Sequence, residues 1–320
     1  MRRFSHTIVI LLIFVFGLHA SVHALDKIRI GAPPDPAHLT FRLAQKAGFL
    51  KAEGFDAEII TIAGPLAAMA LTSGDLGYFT GLGILRSIMQ GLPLKLVACF
   101  RPLPHFVLVS RPEIKSVKEL KGKTIGVLNF GAGADVIGRM IFAHFGLDPQ
   151  KDIRFVAGGG SESRLARMQQ GLLDATLVTP PSDFYGKKLG FHVLARAEEL
   201  FTYPISGLIA PDKKIRERPE EIKRLIRAGI RANRYIKENR EGTIQVLIGT
   251  YKLPKEIAAA SYDSLLKGLN SDGSLPRDGF QTLLEDTKRL AKLDREVSLN
   301  DVADLSILKQ AQLELGIPTR

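Results

Sequence analysis

The chain holds one cysteine, Cys99, and no tryptophan. A single thiol excludes an internal disulfide and the paired-thiolate spacings of structural zinc sites. No cysteine follows the apolar run near the amino end, so no lipid-attachment site stands behind it. The histidines after Leu25, His38, His105, His144 and His192, lie far apart and show no metal-ligand spacing. Nucleotide motifs are missing as well. A G-K-[ST] phosphate loop is absent, and Gly131-x-Gly133 is followed by Val136 where a dinucleotide fingerprint needs glycine. Gly159-Gly160-Ser161-Glu162-Ser163 ends in serine, so it is not a nucleophile elbow. These absences lower the case for catalysis and name no cofactor.

Long apolar runs are also scarce. The one near the start, Ile8 to Leu18, follows Arg2 and Arg3 and is too short to span a bilayer comfortably. It has the form of a signal-peptide core, and Val22-His23-Ala24 offers acceptable residues for cleavage, which places the mature start near Leu25. The expected compartment is the periplasm. Without Arg2 and Arg3 the chain keeps 42 basic against 33 acidic residues, a net charge of +9. Much of that excess lies between Lys213 and Arg240, where Ile222, Leu225, Ile226, Ile230 and Ile236 form an apolar helical stripe and the charges take the other face. A solvated helix explains the charge. No basic stripe interleaved with aromatics is present, so nucleic acid is not an expected partner.

What is present is alternation. Lys27 to Gly31 reads as a strand, followed by the loop Pro33-Pro34-Asp35-Pro36 and a helix to Gly48. Asp56 to Ile62, Leu76 to Phe79, Leu94 to Phe100 and Phe106 to Ser110 read as further strands, the first two each followed by a helix. Thr124 to Val127 continues the series into Phe130-Gly131-Ala132-Gly133, which opens a helix with Ile137, Met140, Ile141 and Phe145 on one face. Its first-turn amides and macrodipole favour an anion above the strand. Asp135, in that first turn, is read as a partner of the dipole. Strands at 153–157, 175–178 and 191–195 complete the pattern, and from about Asp212 the chain is helical, with a last helix from Asp301 to Leu315. Strands alternating with helices indicate a mostly parallel sheet whose ligands gather beyond the carboxyl ends of the strands.

Several segments carry a resemblance. Val117 to Val127 (VKELKGKTIGV) is similar to the second-lobe opening of type II solute-binding proteins of ABC importers, in the sulfonate, nitrate and thiamine-precursor branch. Gln45 to Glu53, Thr72 to Gly81, Gln170 to Pro181, Arg218 to Asn239 and Asp304 to Gly316 fit the same branch in order. The resemblance implies an α/β fold of two lobes, each a mostly parallel sheet flanked by helices, with a ligand cleft between them. It divides the mature chain into residues 25–110 for the first part of lobe one, 111–203 for lobe two, and 204–320 for a return crossing and the completion of lobe one. It implies a periplasmic receptor, not an enzyme, that delivers a small organic anion or heterocycle to a membrane permease by lobe closure, as a monomer and with no cofactor. An exported or biosynthetic enzyme of the same fold and a sensor-linked receptor are the alternatives.

The strand ends expected at the cleft supply the candidate ligand-binding residues. They are Pro34, Asp35, Gly64, Pro65, Thr80 and Gly81 from lobe one, with Arg101 at the first crossing. Phe130, Gly131, Ala132, Gly133, Gly160, Ser161, Thr179 and Pro180 come from lobe two, with Tyr203 near the return. Small residues let backbone amides approach a solute, and the hydroxyls of Thr80, Ser161 and Thr179 donate and accept. Arg101 and Arg164 are candidates to pair with an anionic head group. Phe130, Tyr185 and Tyr203 are candidate walls for a flat ring. Cys99 is read as inert filling, and His105 as a residue of the hinge.

Overall fold

The computed structural model describes residues 24–318, so the export segment read before Ala24 lies outside the described residues. Ten strands form two five-stranded sheets among them. The first sheet contains β1 (Asp26–Ala32), β2 (Phe55–Thr61), β3 (Tyr78–Gly81), β4 (Leu94–Arg101) and β10 (Ser206–Pro211), in the order β2-β1-β3-β10-β4. The second contains β5 (Val107–Ser110), β6 (Thr124–Val127), β7 (Arg154–Ala157), β8 (Ala175–Val178) and β9 (His192–Arg196), in the order β7-β6-β8-β5-β9. In the first sheet β1 pairs parallel with β2 and β3, whereas β10 pairs antiparallel with β3 and β4. In the second, β6 pairs parallel with β7 and β8, whereas β5 pairs antiparallel with β8 and β9. Four strands of each sheet therefore share one direction. The fifth is the strand that has just arrived from the other lobe: β5 follows β4, and β10 follows β9.

The two crossings run side by side. The amide of Tyr203 donates to the Pro102 carbonyl at 3.1 Å, and that of Ile205 to Arg101 at 3.0 Å. Because the direction reverses at each passage, the carboxyl ends of the parallel strands in both sheets face this junction. Hydrophobic side chains cover the sheets on both sides. One continuous cluster runs from Phe79 and Leu96 in the first lobe to Leu108, Ile125 and Leu177 in the second. Another packs Ile30, Tyr78 and Phe100 against the stripe Ile222, Leu225, Ile226 and Ile230 of the helix Pro219–Glu238. That stripe is the one legible in the sequence, and its burial is what holds so charged a helix in place.

Two expectations shift. The third strand starts at Tyr78, because Leu76 is held in a turn by its amide bond to the Ala70 carbonyl and Gly77 donates to Arg29. The last helix is divided into Leu299–Val302 and Ser306–Glu314. Ala303 between them is extended and bridges to Leu96, while Asp304 Oδ1 accepts from the Ser306 amide at 3.0 Å and from its hydroxyl at 2.6 Å. Such local side-chain bonds compete with helix continuation.

Candidate functional site

Asp35 follows β1 and caps the short turn Pro36–His38, its Oδ1 accepting from the Ala37 amide at 2.9 Å. Arg42 fastens the preceding loop, donating to the carbonyls of Ala32 and Pro33 and to Thr61 Oγ1. Two imidazoles flank the carboxylate, with His38 Nε2 3.7 Å from Oδ2 and His105 Nε2 3.9 Å from Oδ1. Tyr251 donates to the Asp35 carbonyl at 3.2 Å. One acidic residue thus joins the first lobe, the crossing and a carboxyl-terminal helix.

Arg101 ends β4 and is 2% exposed, among the largest fully buried side chains described. Its Nη1 donates to the Leu265 carbonyl at 3.1 Å, and its Nε has no partner. The guanidinium lies against Gly268, where an added Cβ would stand 2.8 Å from Cζ; only glycine leaves room for it. The strand end is braced by Asn233, which donates to the carbonyls of Phe100 and Asn270 at 2.9 Å and accepts from Thr40.

A cavity of ≈ 10 Å³, room for about one water, is bounded by Pro36, Ala37, Arg101, His105, Pro180, Ser261, Ser264 and Leu265. Around it, among the described residues, several buried polar atoms lack partners: Arg101 Nε, His105 Nδ1 and Ser261 Oγ, with Thr80 Oγ1 in the same strand-end layer. Thr80 belongs to this layer through its carbonyl, which accepts from Ser206 at 2.8 Å and contacts His38 Nδ1 at 3.3 Å. A buried, unpaired polar group costs about 1–3 kcal/mol, so their convergence at the lobe junction calls for a bound group that satisfies them.

Burial sets the protonation states. It lowers the His105 pKa to about 3, against the pull of Asp35, and it depresses His38 in the same way. Both rings are neutral at pH 7. Burial also lowers Arg101 to about 10, which Asp35 and Glu198 partly offset, so the guanidinium stays charged. For Asp35 burial is the largest single influence and acts upward, but the histidines, the Ala37 amide and Arg101 together bring its pKa below the ordinary value. The junction therefore holds one cation, one carboxylate and two neutral imidazoles.

The sequence-derived candidates fall into distinct groups. Arg101 and Pro180 line the cavity; Asp35 reaches it only through His105, and Thr80 is buried within β3 with Gly81. Tyr203 lies in the return crossing with its phenol pushed up by burial and by Asp286. Pro34 and Pro65 are exposed, and Gly64 begins a helix packed against the Gly83 backbone. Phe130 is 62% exposed, at the head of a loop closed by Asp135, whose Oδ2 accepts from the Gly131 amide at 2.8 Å. Ala132 caps the following helix, and Gly133 packs on Phe106 of the crossing. Gly160 and Ser161 open the helix Ser161–Gln169, and Thr179 follows β8. The first lobe, the crossing and the helix Lys255–Lys267 supply the polar floor, and Pro180 is the second-lobe residue among its lining.

Arg164 differs from the sequence reading. It is 3% exposed, and it donates to Thr176 Oγ1 at 2.8 Å, to the Leu177 carbonyl at 2.6 Å and to the Gly159 carbonyl. It is an internal strut with no donor directed at a solute. Asp135 does more than face a helix dipole, since it also pairs with Arg139 at 2.9 Å. Sequence reasoning missed His38, Ser261, Ser264 and Tyr251. The spacing of His38 three residues after Asp35 was visible; the serines, on an ordinary amphipathic helix, carried no signal.

A separate cleft of ≈ 1270 Å³ lies at the opposite pole of the first lobe, at the amino ends of its parallel strands. Within it Arg29 pairs with Glu58 at 3.0 Å. It shares no residue with the junction.

Two sheets exchanging a strand at a paired crossing, with a polar floor between them, define the two-lobed fold of periplasmic binding proteins. The aliphatic sulphonate binding protein SsuA from Escherichia coli superposes with a TM-score of 0.76 at 19% identity, over 88% of this chain and 92% of that one. The nitrate-binding protein NrtA from Synechocystis PCC 6803 does so with a TM-score of 0.72 at 16% identity, over 92% and 90%. At such identities the likeness is one of fold. A family model described as NMT1/THI5 like matches residues 35–242, and the chain belongs to that family. A Haemophilus influenzae protein named "Putative thiamine biosynthesis protein" is 28% identical over 159 residues, 47% of this chain and 50% of that protein. The chain spans about half the length of this curated relative.

Proposed function

We propose that the chain is a periplasmic solute receptor of an ABC importer, binding a small organic anion or heterocycle between its lobes and presenting the closed form to a permease. The observation that carries this reading is the set of unpaired buried polar atoms on Arg101, His105 and Ser261, gathered where both lobes and the crossing meet. The space between them admits about one water in this form, so a solute reaches them as the lobes part, and one that pairs them contacts both lobes at once, which is the condition for a ligand to favour closure. Arg101 offers a charged donor, the neutral imidazole of His105 a donor or acceptor, and Asp35 an acceptor at the edge, so the floor suits a solute with an acceptor group beside a donor. The neighbours named for sulphonate and nitrate, and the relative named for thiamine biosynthesis, mark the classes to try first. The residue division into lobes, the candidate set from Pro34 to Tyr203, export through residues 1–24 and a monomeric state belong to the same proposal.

A catalytic reading has little chemistry to use here. Cys99 is fully buried in β4, and burial pushes its thiol up to about 12, far from a thiolate nucleophile.

The test starts with protein from about Leu25 onward, unfolded and refolded to strip carried-over solute. Thermal unfolding is then followed against alkanesulfonates, aromatic carboxylates, nitrate and aminopyrimidines. A binder at about one hundred times its Kd adds about 2.7 kcal/mol to stability and raises the melting temperature by several degrees. We expect one class to do this, and the rise to vanish in Arg101→Gln. A rise that survives Arg101→Gln would place binding elsewhere, and a mass change in the incubated solute would make the protein an enzyme.

A further inference from the structure

The helix Lys255–Lys267 belongs to neither sheet, yet it touches every part of the site. Ala258, Tyr262 and Leu265 are buried in the core of the first lobe, and the Tyr262 hydroxyl donates to the Ile236 carbonyl at 3.0 Å. Its Leu265 carbonyl accepts from Arg101, and Ser261, Ser264 and Leu265 wall the cavity. Both ends reach the second lobe. Glu256 pairs with Lys188 at 2.8 Å, and Lys267 pairs with Glu199 at 3.0 Å. Lys188 ends the helix that follows β8, and Glu199 lies just beyond β9, so two separate elements of the second lobe are tied. Between the ties stands Ser261, 0% exposed, a residue lining the cavity, with its hydroxyl unpaired among the described residues.

We propose that the helix Lys255–Lys267 is a clasp across the cleft. It is rooted in the first lobe, draws the second lobe over the solute through ion pairs at its two ends, and offers the Ser261 hydroxyl to a polar group of the solute held beneath it. A helix ending in charges of opposite sign, each facing its complement on the other lobe, can engage or release as that lobe rotates, because both ties lie at exposed side chains outside the core. Exposed ion pairs are individually weak and are screened by salt. They therefore bias closure and leave the decision to the solute. The contact of Ser261 with a solute rests on the receptor reading; the electrostatic tie between the lobes does not.

The tie is measured without solute. Cysteines placed on the two exposed rims by Leu66→Cys and Ser163→Cys take spin labels while Cys99 stays buried, and pulsed electron resonance reads the interlobe distance. We expect Lys188→Glu to shift the closed-to-open ratio toward open by about two- to fivefold. High ionic strength should do the same to the parent, and Lys188→Glu combined with Glu256→Lys should restore the parent distribution. The second tie provides an independent check through Lys267→Glu and Glu199→Lys. Distances indifferent to salt and to both single reversals, or reversals that do not rescue each other, would overturn the clasp. Ser261 has its own readout: removing an unpaired buried hydroxyl in Ser261→Ala should raise the solute-free melting temperature by about 2–4 °C. A fall would show that the hydroxyl serves the fold and would remove it from the site.

Discussion

Asp35, His38, Arg101 and His105 form a cluster in which each state depends on the others. His105 and His38 are held neutral by burial, so the folded protein binds fewer protons than the unfolded chain below the ordinary imidazole range near 6.5. Stability then rises with pH wherever the unfolded state carries the extra protons. For His105 that window runs from about 3 to its ordinary value, and stability is lost as pH falls through it. Asp35, whose pKa is lowered, loses its contribution in the same direction at the acid end. We expect His105→Gln to flatten the pH dependence by up to one proton, or about 1.4 kcal/mol per pH unit, with denaturant midpoints between pH 4 and 6 as the measure. An unchanged slope would mean that His105 titrates normally. In the sequence Asp35 and Arg101 were visible as loop candidates and His105 as a hinge residue. Their convergence was not, because β1 and the crossing are brought together by β3 and β10, which lie between β1 and β4 in the sheet.

At the level of elements, periodicity was the reliable signal. The strand-loop-helix run through Gly133–His144 and the stripe of Pro219–Glu238 both formed where the pattern placed them. Gly229, in the middle of that long helix, is unfavourable by propensity. Its reason is tertiary: an added Cβ would lie 2.5 Å from Phe100 Cζ, so the helix is seated flush on β4. Replacement by alanine gains about 1 kcal/mol of helix propensity and costs about 1–3 kcal/mol of overpacking. We expect Gly229→Ala to be destabilising by about 1 kcal/mol, read as a lower urea midpoint at constant slope. A stabilised variant would show that Phe100 yields freely. Beside Phe100 stand Arg101 and its brace Asn233, so a shift here would also disturb the floor of the cleft.

For the whole molecule the question is how two lobes become one recognition surface. The crossings are hydrogen-bonded to each other through Tyr203 and Ile205, which suits them to bend as a pair while each sheet keeps its core. Solute binding should therefore reduce the radius of gyration measured by X-ray scattering, with no change in mass. An identical radius with and without a bound solute would contradict closure. By itself the sequence determined the α/β class, the order of most strands and helices, and the charged amphipathic helices of the carboxyl-terminal third, because these depend on local periodicity and turn chemistry. Tertiary structure decided which loop residues share a floor, that Arg164 is spent inside the second lobe, and that the helix Lys255–Lys267 walls the cavity. Those outcomes depend on contacts between residues far apart in the chain, where neither spacing nor propensity leaves a mark.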